Sequence, residues 1–167
     1  MGYLENLKDS FHLLLFKDEA VSNISQDKNA TLYAIYTVII SSLASLLGIL
    51  TWYVSIIHPI VFLVKTFIMH VLALMFGGSS RFEEFFRPMG ATHVAYWITA
   101  IPILGILLRP IIFLYLIPVE IKIVRQTHNI SLERSIVVVM LPVFLIIVGF
   151  VLLLIYLFSL LISALPF

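Results

Sequence analysis

The chain has 167 residues, 62% of them hydrophobic and only 11% charged, with a formal net charge of +1 and no cysteine. Soluble domains carry about 45–50% apolar and about 25% charged residues, so a water-soluble monomer of this composition is excluded. The near-neutral balance gives no footing for nucleic acid, and the lack of cysteine rules out disulfides, thiolate metal sites and thiol catalysis together.

At the start of the chain, Leu4, Leu7, Phe11, Leu14 and Leu15 recur at helical spacing, while Glu5, Lys8 and Asp9 share the opposite side. That pattern predicts an amphipathic helix lying in the membrane interface. It is no signal peptide, because Glu5 and Asp9 interrupt the basic region such a peptide needs. Asn6 also stands where a myristoylation motif requires Ser or Thr. Residues 22–29 read as a polar, flexible linker, so residues 1–29 form a cytoplasmic segment and residues 30–167 a membrane domain.

No Asp, Glu, Lys or Arg occurs between Lys28 and Lys65, and none follows Arg134. A hydrocarbon core ~30 Å thick needs about 20 helical residues at ~1.5 Å each, so the first stretch must turn back. His58-Pro59 is the natural corner, since proline lacks an N–H and disfavours helix in the residue before it. The first two spans are then 31–54 and 59–76, closed by Gly77-Gly78-Ser79-Ser80. Pro102, Gly105 and Pro110 interrupt the next apolar stretch. A tight hairpin at Arg109-Pro110 divides it into short spans at 92–108 and 110–124, and 137–165 makes the last. The predicted fold class is all-α: five transmembrane helices in a bundle, preceded by an interfacial amphipathic helix.

Charge sorts the loops. Lys8, Lys17, Lys28, Arg81, Arg87, Lys122, Arg125 and Arg134 fall on one side of this arrangement and Arg109 alone on the other. Cytoplasmic loops carry the excess of Lys and Arg, so the N-terminus is expected in the cytoplasm and the C-terminus outside a cell membrane. Asn23, Asn29 and Asn129 of the three N-x-S/T matches then receive no glycan.

Lys65 is a formal charge well inside a span, where insertion costs about 2.5–3.5 kcal/mol. Such a residue either faces a partner or wet cavity, or snorkels to the headgroups. Glu120 is its candidate counter-charge, or simply marks the end of a short span. Thr37, Ser41, Ser45, Gly48 and Ser55 form a stripe of small side chains. Its predicted register puts Ser45 and Gly48 near the depth of Lys65, and Ser41 near that of His70. The stripe either packs two helices closely or lines a solute path. Phe82, Phe85 and Phe86 beside Arg81 and Arg87 make a short amphipathic segment. It either lies at headgroup level and meets a partner, or caps the bundle. The five histidines form no metal-ligand motif, and no catalytic or nucleotide fingerprint occurs, so neither cofactor nor metal nor enzymatic activity is predicted.

Residues 77–90 read Gly77-Gly78-Ser79-Ser80-Arg81-Phe82-Glu83-Glu84-Phe85-Phe86-Arg87-Pro88-Met89-Gly90. Ile101-Pro102 with Gly105, Tyr115, His128-Asn129-Ile130-Ser131 and Leu141-Pro142 follow. This ordered set, over about residues 57–150, resembles the Yip family of small five-span membrane proteins, with its "GG-x-x-x-F-x-E" loop. Ala91-Thr92-His93 departs from the Tyr and small residues that many members carry there. The resemblance implies the five-span topology and a non-enzymatic, membrane-organising or adaptor role through the cytoplasmic face. The long N-terminal region to which GTPase interaction is usually connected is reduced here to about 29 residues. Partners under this reading are the lipid bilayer, with room for a cytoplasmic protein and a homo-oligomer. The alternative is a small oligomeric channel or transporter using Lys65, His70 and Glu120, since broken helices frame solute sites.

Overall fold

The computed structural model describes residues 2–49 and 52–163. Their regular elements are all helical: α1 (Tyr3–Leu14), α2 (Asp18–Gln26), α3 (Ala30–Ile49), α4 (Trp52–Met75), α5 (Phe82–Ala91), a 3-10 helix (Thr92–Ala100), α6 (Leu104–His128) and α7 (Leu132–Ser163). Four of these, α3, α4, α6 and α7, are long and apolar enough to cross a membrane. The chain is a multi-pass type of helical protein, and α1, α2 and α5 gather at one end.

Helix ends follow local chemistry. α1 opens where the backbone N–H of Gly2 donates to Glu5 Oε2 at 2.9 Å, and α5 opens with the N–H of Arg81 donating to Glu84 Oε2 at 3.1 Å. In each case an acidic side chain satisfies a donor that the first helical turn leaves unpaired. α4 closes on Gly77, at φ 90°, with Gly78 N–H reaching the carbonyl of Ala73 at 2.9 Å and Gly77 N–H that of Leu74 at 3.0 Å. This is a Schellman closure, which needs a left-handed residue that glycine supplies at least cost. α6 closes on left-handed Asn129, after Arg125 and His128 in its last turn.

Three stretches differ from the sequence expectation. The chain does not turn at His58-Pro59: α3 ends at Ile49, α4 begins at Trp52, and Pro59 lies inside α4. Prolines are tolerated within membrane helices where neighbouring groups re-satisfy the freed backbone. Nor is there a hairpin at Arg109-Pro110, because α6 runs unbroken from Leu104 through Pro110 and Pro118. The break falls at Pro102 instead, whose predecessor Ile101 is extended at φ −80°, ψ 115°. Ile103 follows at φ 68°, ψ −56°, and the N–H of Leu104 donates to the carbonyl of Pro102 at 2.8 Å. That is a γ-turn of the rare, strained kind. Gly105 then lets α6 fold back, since a Cβ there would lie 2.5 Å from the carbonyl oxygen of Thr99.

The third difference is the segment expected to span at 92–108. Helical backbone starts ten residues earlier, at Phe82, and runs through Ala91 (φ −62°, ψ −30°) into the 3-10 helix that ends at Ala100. It lies along α3 in parallel: Arg87 Nε donates to Thr31 Oγ1 at 2.8 Å, Gly90 sits against Ala34, and Ser45 Oγ lies 3.4 Å from Thr99 Oγ1. A Cβ on Gly90 would stand 2.6 Å from that of Ala34, so glycine sets the approach of these two helices. The expected linker is also ordered. Residues 22–26 belong to α2, which buries Ala20, Val21 and Ile24 at helical spacing. The tail of the predicted last span, 164–165, lies outside the described residues.

The densest core joins the base of the bundle to α1, α2 and α5, with Leu13, Val21, Ile24, Phe85, Met89, Ile123 and Val138 at 0–1% exposure. Farther along, α4, α6 and α7 turn rows of Ile, Leu, Val and Phe outward. Such a surface suits hydrocarbon, not water.

Candidate functional site

The polar groups of the spans converge on a crevice between α4 and α6, floored by the 3-10 helix. α4 contributes His58, Phe62 and Lys65, the 3-10 helix His93 and Tyr96, and α6 Arg109 and Glu120, around a cavity of about 610 Å³. Lys65 Nζ donates to Glu120 Oε1, with the Lys side chain 19% exposed and the Glu 7%. Each charge is thereby neutralised where neither could be hydrated, which is the condition for keeping ions at this depth. Lys65 is committed to a carboxylate rather than reaching for headgroups.

Aromatic and imidazole rings form the opposite wall. His93 packs edge-on against Phe62 at 4.3 Å between centroids, and His58 stands 5.2 Å from His93 and 5.7 Å from Tyr96. His58 Nδ1 also lies 3.0 Å from Ser42 Oγ, fastening α4 to α3. Arg109, half-buried at the other end of the crevice, makes no hydrogen bond or ion pair with any described residue. The two ends of the crevice are eleven residues apart on α6, about 16 Å along its axis.

His70 belongs to a second cluster, away from Lys65. Its Nδ1 is 3.3 Å from Nε2 of His128, both rings are buried, and Phe85 packs against each, 6.1 Å from His70 and 5.0 Å from His128. Nδ1 of His128 has no partner among the described residues. Nowhere among the described residues do three His, Asp or Glu side chains gather as a metal site would require.

The hydroxyl stripe faces elsewhere than the expected register. Thr37, Ser41, Ser42 and Ser45 are buried, and each bonds a carbonyl of α3 itself: Tyr33, Val38, Val38 and Ser41. Ser45 meets Thr99, not Lys65. With α3 ending at Ile49 and α4 already helical from Trp52, Ser42 is level with His58, so α4 slides along α3 and Lys65 drops toward the far end. Gly48 and Ser55 lie outside the described side chains. The stripe is a packing surface whose hydroxyls satisfy themselves.

The Phe82, Phe85 and Phe86 segment also turns inward. Phe82 packs on Phe67 and His70, Phe86 on Phe62, and Phe85 is fully buried. Arg87 is buried too, donating through Nη1 to the carbonyl of Ser25 at 2.5 Å as well as to Thr31. Arg81 alone of that group stays on the surface, 3.6 Å from Glu83.

Sequence reasoning missed His58, His93, Tyr96 and Arg109 as members of one site. Their shared signal is that each carries a polar head within an apolar stretch, as Lys65 does. Within the described crevice the amine of Lys65 is tied to Glu120, and the hydroxyl is that of Tyr96. Comparison with protein-family models, with curated proteins and with solved structures finds no match.

Proposed function

We propose that this is a non-enzymatic membrane protein of the Yip type that crosses the bilayer five times and organises the membrane through its cytoplasmic face. The third crossing in this reading is residues 82–100, which rise beside α3 over the depth from Thr31 to Ser45. That supplies the odd number of passes that puts the N-terminus in the cytoplasm and the C-terminus outside. It also leaves Lys8 of α1, Lys17, Lys28 and Arg81 of the Gly77 loop on the cytoplasmic side.

One observation carries the reading. α1 buries Asn6, Asp9 and Ser10 together with Leu13, while Leu4, Phe11 and Leu15 are 77%, 50% and 68% exposed. In water these outward leucines and phenylalanine would stand bare; at the headgroups they have hydrocarbon to enter. Aromatic pairs mark the same level, Tyr3 on Tyr33 and Phe16 on Tyr115, as interface belts do. Lys122 Nζ donates to the carbonyl of Phe16, holding the end of α1 against α6.

The absence of native cysteine makes the test direct. A fluorophore on Phe11→Cys in proteoliposomes should be shielded from aqueous iodide and quenched by lipids spin-labelled near the headgroup, whereas one on Glu19→Cys should stay open to iodide. Equal iodide quenching at both positions would refute the interfacial surface. The crevice favours a second reading, a small oligomeric transporter. Solute or ion flux in liposomes, abolished by Lys65→Met, would put that reading in its place.

A further inference from the structure

We infer that the crevice between α4 and α6 is a binding site for one anionic phospholipid of the surrounding bilayer, with Arg109 receiving the phosphate. The inference stands on the crevice alone and is independent of the Yip reading.

Access decides the chemical class of the ligand. The crevice is rimmed by Val61 on α4 and by Ile106, Pro110 and Phe113 on α6, all exposed. These positions belong to helices long and apolar enough to span a membrane. An entrance through that wall opens sideways into hydrocarbon. A hydrophilic solute would have to leave water to reach it, whereas a lipid is already there.

Charge decides the headgroup. Within the crevice Lys65 and Glu120 cancel, and Arg109 has no hydrogen-bonding or ionic partner among the described residues. The site therefore carries one unmatched positive charge. Guanidinium is a planar fork of donors suited to two phosphate oxygens at once. A basic residue in a pocket between membrane helices is the usual device for holding an anionic headgroup.

Depth agrees with both. Arg109 lies five residues from the start of α6, about 7.5 Å along the axis, within reach of the headgroup layer for an extended arginine. From there Phe113 and Leu116 lead inward toward the ion pair, while Ile106 flanks Arg109 on the side of the helix start. A phosphate at Arg109 thus leaves one acyl chain along the rim, and the paired Lys65 and Glu120 close the bottom.

The test uses the full chain in neutral detergent, following thermal unfolding while lipid is titrated in. Phosphatidylglycerol should raise the melting temperature saturably; phosphatidylcholine at the same mole fraction and sodium phosphate should not. Arg109→Gln should weaken the apparent phosphatidylglycerol affinity about fivefold, and Arg109→Lys should largely keep it. Ile106→Trp, which fills the crevice from an exposed position without touching the charge, should weaken it as well. Should Arg109→Gln fail to fold, the Lys and Trp variants decide. An unchanged phosphatidylglycerol response in Ile106→Trp and Arg109→Gln, or an equal response to phosphatidylcholine, overturns the proposal. An equal response to sodium phosphate overturns it too, by making the site one for a free anion.

Discussion

Lys65 on α4 and Glu120 on α6 form an ion pair between two helices that otherwise stand apart around a crevice. Glu120 is 5% exposed, and the pair closes one end of the crevice whose floor, the 3-10 helix, carries His93 and Tyr96. Its role follows from what each charge would face alone.

Removing one member of a buried pair leaves the other uncompensated, at a cost of about 3–5 kcal/mol, whereas removing both is far milder. Lys65→Met and Glu120→Gln should each lower the resistance of the detergent-solubilised protein to heat and SDS. The double variant should be more stable than the two losses predict, with a coupling of about 1–3 kcal/mol. Strict additivity would mean that the pair contributes nothing.

The pair was legible because a charge inside an apolar stretch is conspicuous, and so were the apolar helices α3, α4 and α7, whereas α6 was expected as two short spans. Register was not legible. His58-Pro59 reads as a corner, yet α4 absorbs Pro59, and the eight or so residues by which the turn moves carry Lys65 away from the serine stripe. Pro102 and Pro110 show the same limit: both are breakers in sequence, but only the one before the γ-turn breaks the chain. Periodicity likewise finds an apolar face without saying what covers it. In α1 Leu4, Phe11 and Leu15 turn outward while Leu7 and Leu14 pack on the core, and in α5 the face turns onto α4.

Ile103 holds a β-branched side chain at φ 68°, where such residues are rarely found, and it is 74% exposed. Backbone strain of this kind costs about 1–3 kcal/mol. Glycine relieves it and gives back only about 0.5–1 kcal/mol of extra unfolded-state freedom. Ile103→Gly should therefore stabilise the protein by about 1 kcal/mol, with Ile103→Val unchanged as the control. A lower melting temperature for the glycine variant would show that the turn is not strained.

The base of the bundle offers a pH test. Asp18 accepts from Lys122 Nζ at 2.8 Å and from Gln126 Nε2 at 3.0 Å. The Lys122 hydrogen bond first, and its charge second, hold the Asp18 carboxyl below the usual carboxylate value. A folded-state pKa depressed in this way gives stability that is present above the unfolded value near 3.9 and lost as pH falls through the lower folded one. Wild type should thus melt slightly above Asp18→Asn at pH 6, and the two should converge in acid. Because Asp18 is exposed, high salt should shrink the gap as well. A gap that persists at both low pH and high salt would assign the effect of Asp18→Asn to something other than this pair.

Phe85 separates a lipid-facing loop from a structural one. Its ring is completely buried and touches both His70 and His128, so it joins α5 to α4 and to the end of α6. Truncating a buried phenylalanine typically costs about 3–5 kcal/mol, through lost transfer energy and the cavity left behind. Phe82 and Phe86 are only half-buried, and the cost at each should be smaller. Phe85→Ala should therefore destabilise the protein strongly in detergent, Phe82→Ala and Phe86→Ala more mildly, and Phe85→Leu by an intermediate amount. Were Phe85 instead a contact for membrane or partner, Phe85→Ala would melt like wild type while losing association with nanodiscs. That outcome would return residues 82–87 to the surface role that their amphipathic spacing first suggests.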